Sequence, residues 1–394
     1  MSASEVEFAS GTRRSFLETL WRTGLASAAG SAWPLRAVLA QQVPAERLLV
    51  HSARPQDIET PPHLLTSWIT PNDLFYTRSH FYTPSIQENL WKLVIDGEVE
   101  TPLTLTLQDL KSLESRTTVV TVECAGNGRA FFQPPVPGVQ WEKGAVGTAK
   151  WTGIRLTDLL HRARPNSNGR HVWLDGADVG VGRAPDFVRN VPIEKATDAD
   201  TLLAYEMNDQ PLPIAHGFPL RAIVPGWEGA YCVKWLTHIR VSDHEYDGAF
   251  VQAAYRYPRR PVAPGTLVAA AETVPLRGLA VKSLITSHAP NSVVPIGAVK
   301  ISGVAWAGEM EVSRVGLSMD GGGTWAPARL GADRARYAWR EFEYAWRPRE
   351  PGSYLVLSRA TDTRGRTQPL VADWNPGGYL WNAIDQVRLN VISR

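Results

Sequence analysis

Residues 117–129 read Thr-Thr-Val-Val-Thr-Val-Glu-Cys-Ala-Gly-Asn-Gly-Arg. The β-branched run favours a strand, and that strand would deliver Cys124 to the mouth of a tight turn in which Gly126 and Gly128 permit positive φ. Arg129 follows on the far side. A thiol at a strand end, beside Gly-rich backbone and a cation, sits where its thiolate is stabilised. A thiolate there is either a nucleophile or a soft-metal ligand. The nucleophile needs a paired histidine; His80 and His216 are candidates, but no local signature connects them to Cys124. Metal ligation by a single cysteine also fits, provided a cofactor brings the other ligands. A hairpin with an inert buried cysteine is the plain structural alternative.

The chain has 394 residues and two cysteines, Cys124 and Cys232. A c-type haem needs C-x-x-C-H, and four-thiolate iron–sulfur and zinc sites need four cysteines, so none of these can be built here and no haem is expected in this chain. A Cys124–Cys232 disulfide is the rival arrangement for an exported protein. Lys plus Arg is 41 against 39 for Asp plus Glu, a net charge of +2, which gives no reason to expect a nucleic-acid surface. With 44% hydrophobic and 20% charged residues the composition is globular, and the length implies two or three domains.

The elements that must position the thiol fall into three stretches. Residues 1–40 read as an address: Arg13-Arg14 followed by Phe16-Leu17 resembles a twin-arginine export signal, the small apolar stretch Thr23 to Leu35 is too short to span a bilayer, and Val38-Leu39-Ala40 offers a cleavage site. The expected location is the periplasm, with no stable membrane anchor. Residues 41–260 mix strand-like runs (Trp91–Ile95, Val119–Val122, Arg221–Val224) with helix-like ones (Ile154–Arg162 and Ala199–Tyr205) and lack a βαβ rhythm, so α+β is the expected class. The prolines at 134, 135 and 137 suggest a rigid surface loop. Three prolines between Tyr257 and Gly265 read as a linker. Residues 261–394 change character: short strand-like runs at Val299–Trp306, Val312–Met319, Ala338–Tyr344 and Ser353–Thr361, separated by Gly-rich turns, predict an immunoglobulin-like β-sandwich.

Glu123-Cys-Ala-Gly-Asn-Gly-Arg129 resembles the molybdenum-cysteine loop of the sulfite oxidase family. Phe75-Tyr-Thr-Arg-Ser-His80 resembles that family's Phe-x-x-Arg-Asn-His pterin segment, with Ser79 in place of the usual Asn. Residues 202–213 (LLAYEMNDQPLP) with His216-Gly-Phe-Pro-Leu-Arg221, and Val224-Pro-Gly-Trp-Glu-Gly-Ala-Tyr-Cys-Val-Lys-Trp235, match further blocks in order and spacing. The resemblance covers residues 60–394. It implies a mixed α/β molybdopterin-binding domain followed by a dimerisation domain of the sandwich type. The cofactor is then molybdopterin with one molybdenum ion, with Cys124 as the protein's metal ligand. Tyr76, Thr77, Arg78, Ser79, His80, Asp178, His216, Arg221, Cys232, Val233 and Lys234 fall on cofactor-holding positions. Arg221 and Lys234 offer cations to a terminal phosphate, and the two histidines can donate to phosphate or pterin.

Arg78, Arg129, Trp141 and Tyr255 line the substrate pocket by the same resemblance, and Lys150 adds positive potential unless it is simply a surface lysine. The implied reaction is oxidation of sulfite to sulfate by oxygen-atom transfer, the electrons passing singly to a separate c-type cytochrome, in a protein that forms a homodimer. The sulfane dehydrogenase component of a thiosulfate-oxidising complex shares the scaffold. A nitrate-reductase-type enzyme shares the cysteine loop but normally carries fused haem and flavin domains. A metal-free periplasmic binding or assembly protein is the alternative from another class; the presence of Cys124, Arg78, Arg129, Arg221 and Lys234 together speaks against it.

Overall fold

The computed structural model describes residues 48–393 apart from Arg183. The expected export signal at 1–40 therefore lies outside the described residues. The β-branched run around Cys124 forms the strand Arg116–Glu123, at the edge of a five-stranded antiparallel sheet. It pairs with the long strand Val146–Arg155, which pairs in turn with Leu202–Met207, and that strand carries Gln210–Pro211 and Arg221–Ile223. A second five-stranded sheet runs Leu103–Leu105, Leu93–Gly97, Leu236–Ser242, His171–Gly176, Arg189–Pro192, with one parallel pair between Leu93–Gly97 and Leu236–Ser242. The helix Leu156–Ala163 contributes Leu156, Leu159, Leu160 and Ala163 to the core beside this sheet.

Three expectations differ from the structure. Ala199–Tyr205 is not a helix: Leu202–Met207 is a strand with neighbours on both sides, and Leu202, Leu203, Ala204 and Tyr205 are all buried. A continuous apolar run buried on both faces carries no period that separates strand from helix. Thr197 and Asp198, residue types that often cap a helix, belong to a turn here, in which the Asp198 carboxylate accepts from the amide of Asp200 at 2.9 Å. The proline-rich linker is also shorter than the sequence suggests, since Tyr257 and Pro258 lie in the strand Arg256–Pro258, paired with Thr273–Pro275. The other helix-like run starts two residues late because Ile154 and Arg155 end a strand.

The C-terminal region is an immunoglobulin-like sandwich. A four-stranded sheet (Lys282–Ile285, Val299–Trp306, Arg340–Trp346, Arg329–Leu330) faces a five-stranded one (Ser292–Pro295, Asp385–Ile392, Gly352–Asp362, Val312–Ser318, Ala326–Pro327). Ile301, Val315, Val356, Phe342 and Leu389 fill the space between them. The sandwich is fastened to the first domain's edge strand. Thr121 N donates to Tyr337 O at 2.9 Å and Trp339 N to Thr121 Oγ1 at 2.8 Å. Trp68 and Trp339 exchange indole hydrogen bonds with each other's carbonyls, at 3.0 and 2.7 Å. No helix among the described residues is long and apolar enough to cross a membrane.

Trp339 is fully buried at this junction. Trp339→Ala should lower unfolding free energy by about 3–5 kcal/mol, as for other large-to-small core changes. Denaturant titration of the two proteins checks this; an unchanged midpoint would mean the junction contributes little.

Candidate active site

The turn after Arg116–Glu123 closes as its glycines suggest. Asn127 N donates to Cys124 O and Arg129 N to Gly126 O, both at 2.9 Å, and Gly128 adopts φ of 93°. A Cβ on Gly126 would stand 2.7 Å from the guanidinium carbon of Arg129, so only glycine lets the arginine fold back over the turn. Cys124 opens into a cavity with about 660 Å³ of atom-free space, its mouth included. Across from it, Thr77–Arg78 is stitched as a short strand onto Gln56–Glu59, with Arg78 opposite Asp57. The third wall is the segment from Arg221 to Trp235, folded back so that Ala222 N reaches Val233 O at 2.9 Å.

Every residue expected to hold the cofactor lines this cavity: the run Tyr76, Thr77, Arg78, Ser79 and His80, then Cys124, Asp178, His216 and Arg221, and finally Cys232, Val233 and Lys234. Tyr255 lines it too. Lys234 Nζ donates to Ser79 Oγ at 2.8 Å and to Ala215 O at 2.9 Å. Arg221 is buried, donates to His216 O and Cys232 O at 2.9 and 3.0 Å, and leaves its Nε with no partner among the described residues. Arg78 donates to Asp57 Oδ1 at 2.9 Å. Both cysteines are free thiols, so the alternative disulfide is not formed. Among the described residues no three His, Cys, Asp or Glu side chains gather into a metal cage.

The electrostatics match an anionic guest. Burial drives Lys234 well below the ordinary lysine range, with Arg221 and Arg78 adding repulsion and Asp178 opposing. His216 is lowered to about 3 by burial and by Arg221 and Lys234, and His80 is held well below its usual value by burial and Arg78. Both are neutral at pH 7. Asp178 is pushed up to about 6, chiefly by burial. Cys124 is raised by burial although Arg129 and Arg78 pull it down. A phosphate-bearing chelate fits this set: cations at one end, an unpartnered buried N–H on Arg221, and one soft sulfur at the other.

The Tyr255 hydroxyl and His80 Nε2 share a 2.7 Å hydrogen bond, and His80 stacks on Phe187 with ring centroids 3.9 Å apart. Tyr255 and Trp235 both hold positive φ, 54° and 52°, an uncommon state for aromatic residues that tends to mark functional sites. Arg129 does not line the cavity itself. It is buried behind the turn, donating to Gly377 O through Nε and Nη2 (3.3 and 3.0 Å) and to Val139 O (3.2 Å). Trp141 is also set back: it is fully buried against Tyr76, and its indole N–H has no partner among the described residues. Lys150 is not part of the site; its ammonium pairs with Asp209 at 2.5 Å on the surface.

Sequence reasoning missed several neighbours. Glu228 lines the cavity, is fully buried and has Oε1 without a hydrogen bond, with Arg189 Nη2 3.7 Å away. Arg189 in turn lies between the rings of Tyr231 and Tyr255. Glu228 was readable as an acid inside an otherwise apolar segment. Tyr379 was not: it arrives from the sandwich to stack on Tyr255 at 5.5 Å and to lie under Arg129 at 5.3 Å.

Residues 80–250 match the oxidoreductase molybdopterin binding domain, and residues 274–392 match the Mo-co oxidoreductase dimerisation domain. Sulfite oxidase of Gallus gallus is 37% identical over 353 residues, covering 85% of this chain and 76% of that protein. The chain belongs to the sulfite oxidase family. Mitochondrial sulfite oxidase of Homo sapiens is 36% identical, covering 87% of this chain and 66% of its own length, so the chain spans about two thirds of that relative. The crystal structure of the sulfane dehydrogenase SoxCD from Paracoccus pantotrophus superposes with a TM-score of 0.77 at 27% identity, over 92% of this chain and 93% of that one. The protein is a molybdenum oxidoreductase of the sulfite oxidase family, with a molybdopterin-binding domain joined to a dimerisation domain.

Burial raises Glu228 from 4.5 to about 7, against the pull of Arg189. Between those values the folded chain holds a proton that the unfolded chain has lost, so stability falls as pH rises through the window. Glu228→Gln removes this dependence. Relative to the native chain the variant should gain up to about 3 kcal/mol between pH 4.5 and 7.5. Denaturant melts at the two pH values check it, and a constant difference would mean Glu228 is ionised throughout.

Proposed function

We propose that this protein oxidises sulfite to sulfate in the periplasm, as a homodimer that passes electrons one at a time to a c-type cytochrome. The observation that carries the reading is the cavity itself, where Cys124 shares the lining with the basic side chains Arg78, Arg221 and Lys234, in the scaffold shared with the sulfite oxidases. Sulfite and water give sulfate, two protons and two electrons. Bound molybdopterin with its molybdenum supplies the oxygen-atom transfer and accepts the electron pair, and Cys124 is the thiolate this chain gives to the metal.

The chain's own groups do the rest. Lys234, Arg221 and Ser79 hold the anionic end of the cofactor, with neutral His216 beside them, its Nε2–H donated to Asn72 O at 3.2 Å. Arg78 offers a permanent charge to the oxyanion, and Arg129 adds a second positive field from behind the Cys124 turn. The Tyr255–His80 pair presents a hydroxyl whose proton is retained at neutral pH, because burial pushes Tyr255 well above its ordinary value. Phe187 and Tyr255 exclude water from this end. Export to the periplasm is supported by Arg13-Arg14 and the apolar stretch after them. A homodimer is supported by the dimerisation domain.

A second reading is favoured by one observation: the sulfane dehydrogenase SoxCD shares the fold over nearly the whole chain. Turnover with free sulfite against a carrier-bound sulfane, using cytochrome c as acceptor, separates the two readings. Protein from molybdenum-replete cells should contain about one molybdenum per chain, and Cys124→Ala should abolish turnover while leaving the fold intact. Arg78→Ala should lower kcat/KM for sulfite by about 30- to 1000-fold, mainly through KM, corresponding to roughly 2–4 kcal/mol. Unchanged steady-state kinetics in Arg78→Ala would remove that arginine from the pocket.

A further inference from the structure

Glu123 directly precedes the proposed metal ligand, yet its carboxylate is bonded into the β-sandwich. Oε1 accepts from Lys282 Nζ at 2.5 Å and from Asn127 Nδ2 at 3.0 Å, while Oε2 accepts from Trp306 Nε1 at 2.8 Å. Lys282 Nζ also reaches Asn127 O at 3.3 Å. The side chains of Glu123 and Lys282 are only 2% and 9% exposed. Lys282 and Trp306 stand opposite each other on adjacent strands, so the ammonium and the indole form one rigid donor pair. The other side of the turn is closed as well: Asn127 Oδ1 accepts from Ala145 N at 3.1 Å, and Cys124 N donates to Ala145 O at 2.9 Å. Lys282 thus grips both the residue before Cys124 and the residue three after it, and Trp306 holds the first of them.

Stability is a weak reason for such a pair. Removing two charges from water offsets much of what their attraction returns, and apolar replacements of similar volume are often neutral or better. A pair whose hydrogen bonds are all satisfied does fix geometry. We propose that the Glu123–Lys282 ion pair is a positioning device through which the β-sandwich sets the direction in which Cys124 presents its sulfur. Glu123 and Lys282 touch neither substrate nor cofactor; they act through the Cys124–Asn127 turn. This rests on the reading of Cys124 as the metal ligand.

The test uses the molybdenum-loaded full chain. Glu123→Gln keeps the acceptor for Trp306 but leaves Lys282 buried and unpaired. The double variant Glu123→Gln/Lys282→Met removes both charges together and keeps the question open should the single variant fail to fold. Each is measured for molybdenum content, unfolding midpoint, the thiolate-to-molybdenum absorption band, and kcat and KM for sulfite. The expected result is a folded, molybdenum-containing double variant whose absorption band is displaced, with kcat reduced about tenfold and KM within twofold of the parent. Loss of molybdenum at an unchanged unfolding midpoint would support the proposal in the same way. A wild-type band and wild-type kcat in the double variant would overturn it, and so would failure of both variants to fold, which would assign the pair to folding alone. Should the parent protein itself show no band that Cys124→Ser removes, the ligand reading fails first and the proposal falls with it.

Discussion

Holding several cations out of water around one cavity is the constraint on which the site depends. Arg78, Arg221 and Lys234 face the same space; Arg78 is paired with Asp57, while the carboxylates that also line the cavity, Asp178 and Glu228, are pushed by burial toward neutrality. An uncompensated buried charge is expensive, and proteins answer that expense with a partner or with a proton shift. Here the protein does both halfway. Lys234 and the two histidines are displaced toward their neutral forms, and an N–H of Arg221 is left without an acceptor. A multiply charged anion in the cavity relieves all of these strains at once, so affinity for the guest is stored in the discomfort of its host.

The two domains do not divide the work. The sandwich supplies Tyr379 against Tyr255, Gly377 O to Arg129, and Lys282 and Trp306 to the rear of the Cys124 turn. Leu380 N also donates to Ala125 O at 2.9 Å, one residue from the thiol. A domain whose family description concerns dimerisation is therefore built against the residues that back the cavity of the other. Substitutions on either side of the junction reach the same few atoms.

What could be read from the sequence was local. The Cys124 turn announces itself because a strand, two glycines and an arginine lie within thirteen residues, and the blocks around His80, His216 and Lys234 each keep their order along short segments. The class and the sandwich were legible for the same reason, since alternating strands and Gly-rich turns are short-range features. Residues 199–205 misled because a strand buried on both faces loses its period-two signal. Tyr379 and Lys282 were invisible, because only the fold brings them beside residues more than a hundred positions earlier, and no local pattern encodes the pairing. Arg129 and Trp141 were recognised by position, but their setting behind the cavity wall depends on tertiary packing.

The hydrogen bonds from Arg129 to Gly377 O join residues 248 positions apart. Ribosomes add roughly 5–20 residues per second, so about 12–50 s separate the synthesis of these two partners. During that interval Arg129 lacks the backbone carbonyl that will hold it behind the turn. The guanidinium that backs the Cys124 turn is therefore fixed only after the far end of the chain has been made.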